Sequence, residues 1–154
     1  MLAVIQRVSE CRVTADGELT ADRKGHGLLV LLGVAKGDEY HDADLLAEKI
    51  SKLRVFSDEA GKMNLSVSDV SGYAVIVSNF TLCGSYRKGN RPDYLNSADP
   101  EIANRLYSYF VEKVASLSVP VSTGIFGADM KISMTADGPV TLQMDSEVLK
   151  AKRR

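Results

Sequence analysis

Leu2 to Val8 alternates apolar and polar residues with the period of a half-buried strand, and Cys11 to Ala15 repeats the pattern. Asp16-Gly17, set between that run and Glu18-Leu19-Thr20, is a strong hairpin signal. Gly25-His26-Gly27 predicts a break before Leu28 to Leu32, a continuous apolar run of the kind found in strands buried on both faces. Asp38 to Leu53 reads as a helix, with Leu45, Leu46, Lys49, Ile50 and Leu53 as its stripe and acidic residues in its first turns. Val55-Phe56 predicts a short strand, Ser57 to Gly61 a turn, and Tyr73 to Val77 a further buried strand leading into Ser78 to Leu82. Gly84 to Ser97 is a polar loop. A second helix starts at Asp99, with Pro100 in the first helical position, and its stripe is Ile102, Leu106, Tyr109, Phe110, Lys113, Val114 and Leu117. Three strands follow, near Val119–Thr123, Met130–Met134 and Val140–Met144.

The order β-β-β-α-β-β-α-β-β-β, opened by a hairpin and free of repeats or linkers, argues a single α+β domain. We expect mixed or antiparallel sheets in a barrel-like arrangement with two covering helices, a domain over 1–145 and a basic C-terminal tail over 146–154.

Composition narrows the function classes. With 154 residues, 45% hydrophobic and 25% charged, the chain is in the range of ordinary globular domains. The longest apolar run, Gly27 to Ala35, falls far short of the roughly 20 residues of a membrane helix, so no membrane partner is expected. Met1 to Glu10 has no basic region ahead of its apolar stretch and does not read as a secretory signal. Cys11 and Cys83 are too few for a disulfide framework and suggest a reducing compartment, which makes a cytoplasmic location the expectation. The net charge of -1 argues against coating long stretches of nucleic acid. Positive charge is local, in Arg87-Lys88-Gly89-Asn90-Arg91 and in Lys150 to Arg154, so a small nucleic-acid footprint fits and a large one does not.

Familiar catalytic constellations are missing from the pattern. His26 and His41 are the two histidines; one sits in a glycine-flanked break and the other in an acidic helical turn. The cysteines and histidines lack ligand spacing, so neither a metal nor any other cofactor is expected. There is no phosphate-binding glycine loop. Two segments hold other chemistry. Ser78-Asn79-Phe80-Thr81 follows a buried strand, where backbone N–H groups and two hydroxyls could converge on one substrate oxygen or merely cap the strand end. Asp137-Gly138-Pro139-Val140-Thr141 reads either as a turn or as a site where glycine lets a ligand approach the backbone beside a cis X-Pro bond.

Taken together, ordered segments along nearly the full chain resemble the D-aminoacyl-tRNA deacylases (the D-tyrosyl-tRNA deacylase family). They are Ile5 to Val8, Gly27 to Val34, Phe56 to Asp58, Gly61 to Leu65, Val77 to Leu82, Gly89 to Pro92, Thr123 to Met130 and Asp137 to Thr141. The family's signatures are Ser-Gln-x-Thr and Asn-x-Gly-Pro-Val-Thr. Here Asn79 stands for the Gln, shorter by one methylene, and Ala136 for the Asn, losing a donor and an acceptor. Asp93 stands where a small hydroxyl residue is commoner.

The resemblance implies a homodimeric hydrolase. It would cleave the ester joining a D-amino acid, or misloaded glycine, to the 3′-terminal adenosine of tRNA and reject the L-aminoacyl ester, a chiral proofreading step in translation. It implies an active site at the dimer interface, where the cis Gly138-Pro139 of one subunit enters the other's pocket and its carbonyls hold the substrate α-amino group. On the same grounds Thr81, Ser78 and Phe80 are the expected catalytic residues. Gly138, Pro139 and Asn79 would bind substrate, with Arg7 bracing the Gly-Pro segment and Phe126 lining the adenosine pocket. In the family mechanism the 2′-hydroxyl of the terminal ribose helps activate water, so Thr81 positions the ester; an older assignment makes Thr81 the nucleophile. Asn79 and Ala136 motivate an alternative, a catalytically silent dimer that binds tRNA ends on the same scaffold.

Overall fold

The computed structural model describes residues 1–150. Strands β1 (Leu2–Ala15) and β2 (Glu18–Gly33) form the opening hairpin. Its turn residues both have positive φ, 49° at Asp16 and 84° at Gly17, the pair that lets a two-residue turn follow the strand twist. The expected break at Gly25-His26-Gly27 is not one. The single residue Ser9 faces Gly25 and His26 in a bulge, between the pairs Val8–Gly27 and Glu10–Lys24, and Gly25 takes a φ of 93° there. A bulge bends both strands while the ladder continues, so the two short strands expected over 2–15 are one.

The same holds at the other end of the chain. Met130–Asp145 is a single long strand, β7, antiparallel to β1. Its ladder is interrupted where Asp137 to Val140 lie opposite Arg7 alone, between the pairs Val8–Ala136 and Gln6–Thr141. β5 (Tyr73–Ser78) runs parallel to β2, and β6 (Val121–Thr123) parallel to β5. The five-stranded mixed sheet therefore has the order β6-β5-β2-β1-β7. Phe56–Ser57 (β3) and Met63–Leu65 (β4) make a separate two-stranded ribbon.

Helices α1 (Tyr40–Ser51) and α2 (Pro100–Ser116) cover one sheet face. α1 is shorter than the expected 38–53 because Asp38 is engaged ahead of it, accepting from the Ala35 N–H at 2.6 Å, while Asp42 caps the helix by accepting from the Glu39 N–H at 2.9 Å. Asp99 does occupy the N-cap of α2, although its side chain makes no capping bond. Ala43, Leu46, Ala47 and Ile50 of α1 meet Leu106, Phe110 and Val114 of α2 over Ile5, Leu28, Val30 and Ile76 of the sheet. Ile102, expected in the stripe, is 40% exposed. Strand alternation sends Val8, Cys11, Val13, Leu29, Val75 and Val77 to the opposite face, a second core packed by Leu31, Met130 and Ile132.

A third helix, α3 (Ser146–Lys150), occupies the first part of the expected tail; residues 151–154 lie outside the described residues. Ser146 Oγ donates to Asp42 Oδ1 at 2.6 Å and Lys150 Nζ approaches the same oxygen at 2.7 Å. Burial alone would raise the Asp42 pKa, but these two groups and the Glu39 N–H hold it down at about 2. The Met1 ammonium, 2.7 Å from both Asp38 Oδ1 and Ser146 Oγ, joins the cluster and anchors the start of β1.

Candidate active site

β5 is buried from Tyr73 to Val77 and emerges at Ser78. Asn79 N–H still donates to the Leu32 carbonyl at 2.8 Å, and the chain then folds into a 3-10 turn over Phe80–Cys83. The turn therefore stands at the carboxyl ends of two parallel strands, where open α/β sheets present their binding crevices. As the first residues of that turn, Phe80 and Thr81 have N–H groups with no partner inside it.

Ser78, Asn79, Phe80, Thr81 and Phe126 line one cavity of about 740 Å³. Leu31, Val77, Met130 and Ile132 line it from the sheet and Pro100 and Ala103 from the start of α2, so the cavity lies between the strand ends and the N-terminal turn of that helix. The Thr81 hydroxyl donates to the Asn79 side-chain carbonyl. Its proton is thus committed, and its lone pairs remain to accept. Ser97 Oγ donates to the Phe80 carbonyl at 3.2 Å, and the exposed Phe80 ring meets Tyr94 edge-on with centroids 5.0 Å apart. Phe126 is tilted against Tyr107 at 6.0 Å. Tyr107 OH donates to the Ile76 carbonyl at 2.8 Å; burial pushes its pKa to about 12, so it is a neutral strut behind the cavity rather than an acid or base.

The titratable side chain in the lining is Asp129, on the outer rim. His26 packs edge-on to Phe56 at 5.8 Å and His41 lies in the first turn of α1, both away from the cavity. Cys11 and Cys83 are free and buried; burial raises both thiols, Cys11 to about 11, which leaves them poor nucleophiles. Among the described residues no three His, Cys, Asp or Glu side chains converge, and no helix is long and apolar enough to cross a membrane.

Gly138 and Pro139 stand elsewhere. Their peptide bond is cis, Gly138 has a φ of 127°, and both residues are exposed. From Ile132 in the cavity floor to Gly138 is about 20 Å along β7, and neither residue lines the cavity. Arg7 reaches the segment from β1: Nε donates to the Asp137 carbonyl at 3.1 Å, and Nη1 donates to the Val55 carbonyl at 2.7 Å. Nε also lies 3.3 Å from Asp137 Oδ2. Ala136, on the near side of the interruption, pairs with Val8. Of the expected site residues, five thus share one cavity in this chain, while Arg7, Gly138 and Pro139 form a separate surface feature. Ser97, Tyr94 and Tyr107, which buttress the cavity, carry no local sequence signal; Tyr107 is buried on α2 although it lies outside the expected stripe, which names Tyr109.

The fold and the site define a single mixed-sheet α+β domain with a largely apolar, histidine-free pocket at its parallel strand ends, its polar groups hydroxyls, an amide and one carboxylate; the comparisons with known proteins supply its family. The D-Tyr-tRNA(Tyr) deacylase family profile matches residues 4–145. The D-aminoacyl-tRNA deacylase of Geotalea uraniireducens (strain Rf4) is 55% identical over 95% of this chain and 94% of its own. That of Lacticaseibacillus casei (strain BL23) is 51% identical over 96% and 99%. Among solved structures, the c-Myc DNA Unwinding Element Binding Protein superposes with a TM-score of 0.86 at 37% identity, covering 94% of this chain and 98% of that one. A "probable eukaryotic D-amino acid tRNA deacylase" shares the fold, at a TM-score of 0.76 and 13% identity, over 93% and 97%. The chain belongs to the D-aminoacyl-tRNA deacylase family, and with it to the hydrolases.

Proposed function

We propose that the protein hydrolyses the ester between a D-amino acid, or misloaded glycine, and the 3′-terminal adenosine of tRNA, spares the L-aminoacyl ester, and so proofreads chirality in the cytoplasm without a cofactor. The observation that carries this reading is the chemistry of the cavity wall. Two N–H groups, at Phe80 and Thr81, for which the 3-10 turn has no acceptor, adjoin hydroxyl and amide groups in a pocket whose lining includes no histidine or cysteine. An aminoacyl ester is already activated, so stabilising the developing oxyanion, about 3 kcal/mol per donor in other hydrolases, accomplishes much of the work. Water activation falls to the 2′-hydroxyl of the terminal ribose. Phe126 lines the adenosine side.

Chirality needs a second element. The chain's own cavity lacks Gly138 and Pro139, while that segment is exposed and braced by Arg7. In our reading two chains associate so that this segment of one enters the cavity of the other, its carbonyls taking the α-amino group and its backbone filling the space an L side chain would need. Incubation with matched D-tyrosyl-, L-tyrosyl- and glycyl-tRNA tests the proposal. Release from the D and glycyl esters with the L ester intact is expected; equal rates on both enantiomers would refute a chiral pocket.

Thr81 is a positioning group in this scheme, because its hydroxyl proton is held by Asn79 and no general base adjoins it. Thr81→Ala is expected to keep measurable single-turnover deacylation, since both N–H donors survive. Loss comparable to removing a whole catalytic unit, about 10⁶-fold, together with a trapped acyl-enzyme in the parent, would make Thr81 the nucleophile instead.

A further inference from the structure

The cavity holds about 740 Å³, the scale of one aminoacyl nucleoside, so the remainder of a long substrate has to leave across a rim. Two exposed segments adjoin the cavity, and they differ. One carries Asp129, 85% exposed, beside Lys131 at 3.8 Å. The other is the loop Gly84 to Asn96, which leaves the 3-10 turn and returns to the cavity at Ser97. It is fastened to the cavity wall through Tyr94 on the Phe80 ring and Ser97 on the Phe80 carbonyl. Reciprocal backbone bonds between Ser85 and Asp93, at 2.8 and 2.9 Å, close the loop on itself, so residues 86–92 project as a tip.

That tip has an unusual composition for a chain of net charge -1. Arg87, Lys88 and Arg91 are exposed, and among the described residues none forms an ion pair. Tyr86 is 84% exposed, the most open of the large hydrophobic side chains, and makes no ring or hydrogen-bond contact among the described residues. An unpaired cation cluster beside an outward aromatic ring is the arrangement with which proteins hold single-stranded nucleic acid, phosphates on the charges and a base on the ring.

We propose that this loop docks the single-stranded 3′ end of the tRNA just upstream of the terminal adenosine, with Arg87, Lys88 and Arg91 on phosphates and Tyr86 stacked on a base. The inference rests on the aminoacyl-tRNA reading of the site. A charge cluster of this size contacts about three phosphates, so log KM should rise with log[salt] with a slope of roughly 2, well below that of a protein gripping a long duplex.

The test compares two substrates of the intact protein, D-tyrosyl-tRNA and the D-tyrosyl ester of adenosine. The triple variant Arg87→Ala/Lys88→Ala/Arg91→Ala is expected to raise KM for the tRNA by about a hundredfold at low salt and to flatten the salt slope, with kcat held. Tyr86→Ala is expected to raise that KM about tenfold and Tyr86→Phe to restore it, because stacking needs the ring and not the hydroxyl. All three variants should hydrolyse the adenosine ester as the parent does. If the parent cleaves both esters and the triple variant keeps its KM and salt slope on tRNA, the docking surface is overturned while the deacylase reading stands. A parent that cleaves neither ester overturns both. Binding to phosphatidylserine vesicles that the triple variant loses, with KM for tRNA unmoved, would assign the loop to a lipid surface and overturn the proposal.

Discussion

Gly138→Ala is expected to slow single-turnover deacylation of D-tyrosyl-tRNA by about a hundredfold or more while leaving the circular dichroism spectrum unchanged. Gly138 has a φ of 127°, a conformation L residues rarely adopt. A Cβ there would lie 2.9 Å from both the Val140 nitrogen and Val140 Cγ2, and 3.1 Å from Arg7 Nη2. Backbone nitrogen cannot swing aside as a side-chain tip can, so the segment itself must shift. Forcing a non-glycine residue into such a region costs on the order of 1–3 kcal/mol. In a site that works by positioning, a displacement near 1 Å costs roughly a hundredfold in rate. Gly61→Ala is the control. Gly61 also has positive φ, 75°, but a Cβ there meets nothing within 4 Å, and the residue lies away from the cavity. It should carry a similar backbone penalty and full activity. A Gly138→Ala enzyme running at the parent rate would show that the segment does not touch substrate.

Arg7→Ala is expected to cost both stability and rate. The Arg7 side chain is 12% exposed, and its guanidinium donates to the carbonyls of both Asp137 and Val55. Truncation strands two partly buried acceptors, at about 1–3 kcal/mol each, and removes the link that ties the Gly138-Pro139 segment to β1. We expect a loss of about 3 kcal/mol in urea unfolding. Single-turnover deacylation should fall at least tenfold under conditions where the variant is fully folded. Arg7→Lys keeps the charge but cannot span both carbonyls with one fork, so it should recover little of the rate. Full recovery by lysine would mean that charge alone matters and would refute the bracing role.

Several elements were legible because their causes are local. Asp16-Gly17 specifies its turn through the φ values those two residues tolerate, and Asp99-Pro100 marks the start of α2 through a missing N–H in the one turn that needs none. The continuity of β1 and β7 was not legible. Polar and glycine-rich stretches at Ser9, Gly25-His26 and Asp137 to Val140 look like ends in one dimension, yet each is a bulge carried by an intact ladder on either side. α3 was missed for a related reason. A five-residue segment has no helical stability of its own, and Ser146–Lys150 is held by Asp42, over a hundred positions earlier.

The sequence alone determined the chemistry available to this protein. It contains two histidines remote from the site segments, a hydroxyl-amide run after a buried strand, a Gly-Pro pair and a local cluster of positive charge. Residue type sets what a group can donate, accept or ionise, and that needs no neighbours. Only the tertiary structure decided which groups act together. It brings Phe126 into one cavity with Ser78 to Thr81, turns the Thr81 hydroxyl onto Asn79, and sets Tyr94 and Ser97 against Phe80. It also holds Gly138 and Pro139 away from the cavity of their own chain. Those relations follow from sheet order and register, which are fixed by burying two cores on opposite faces of one sheet, a property of the whole chain and of no single segment.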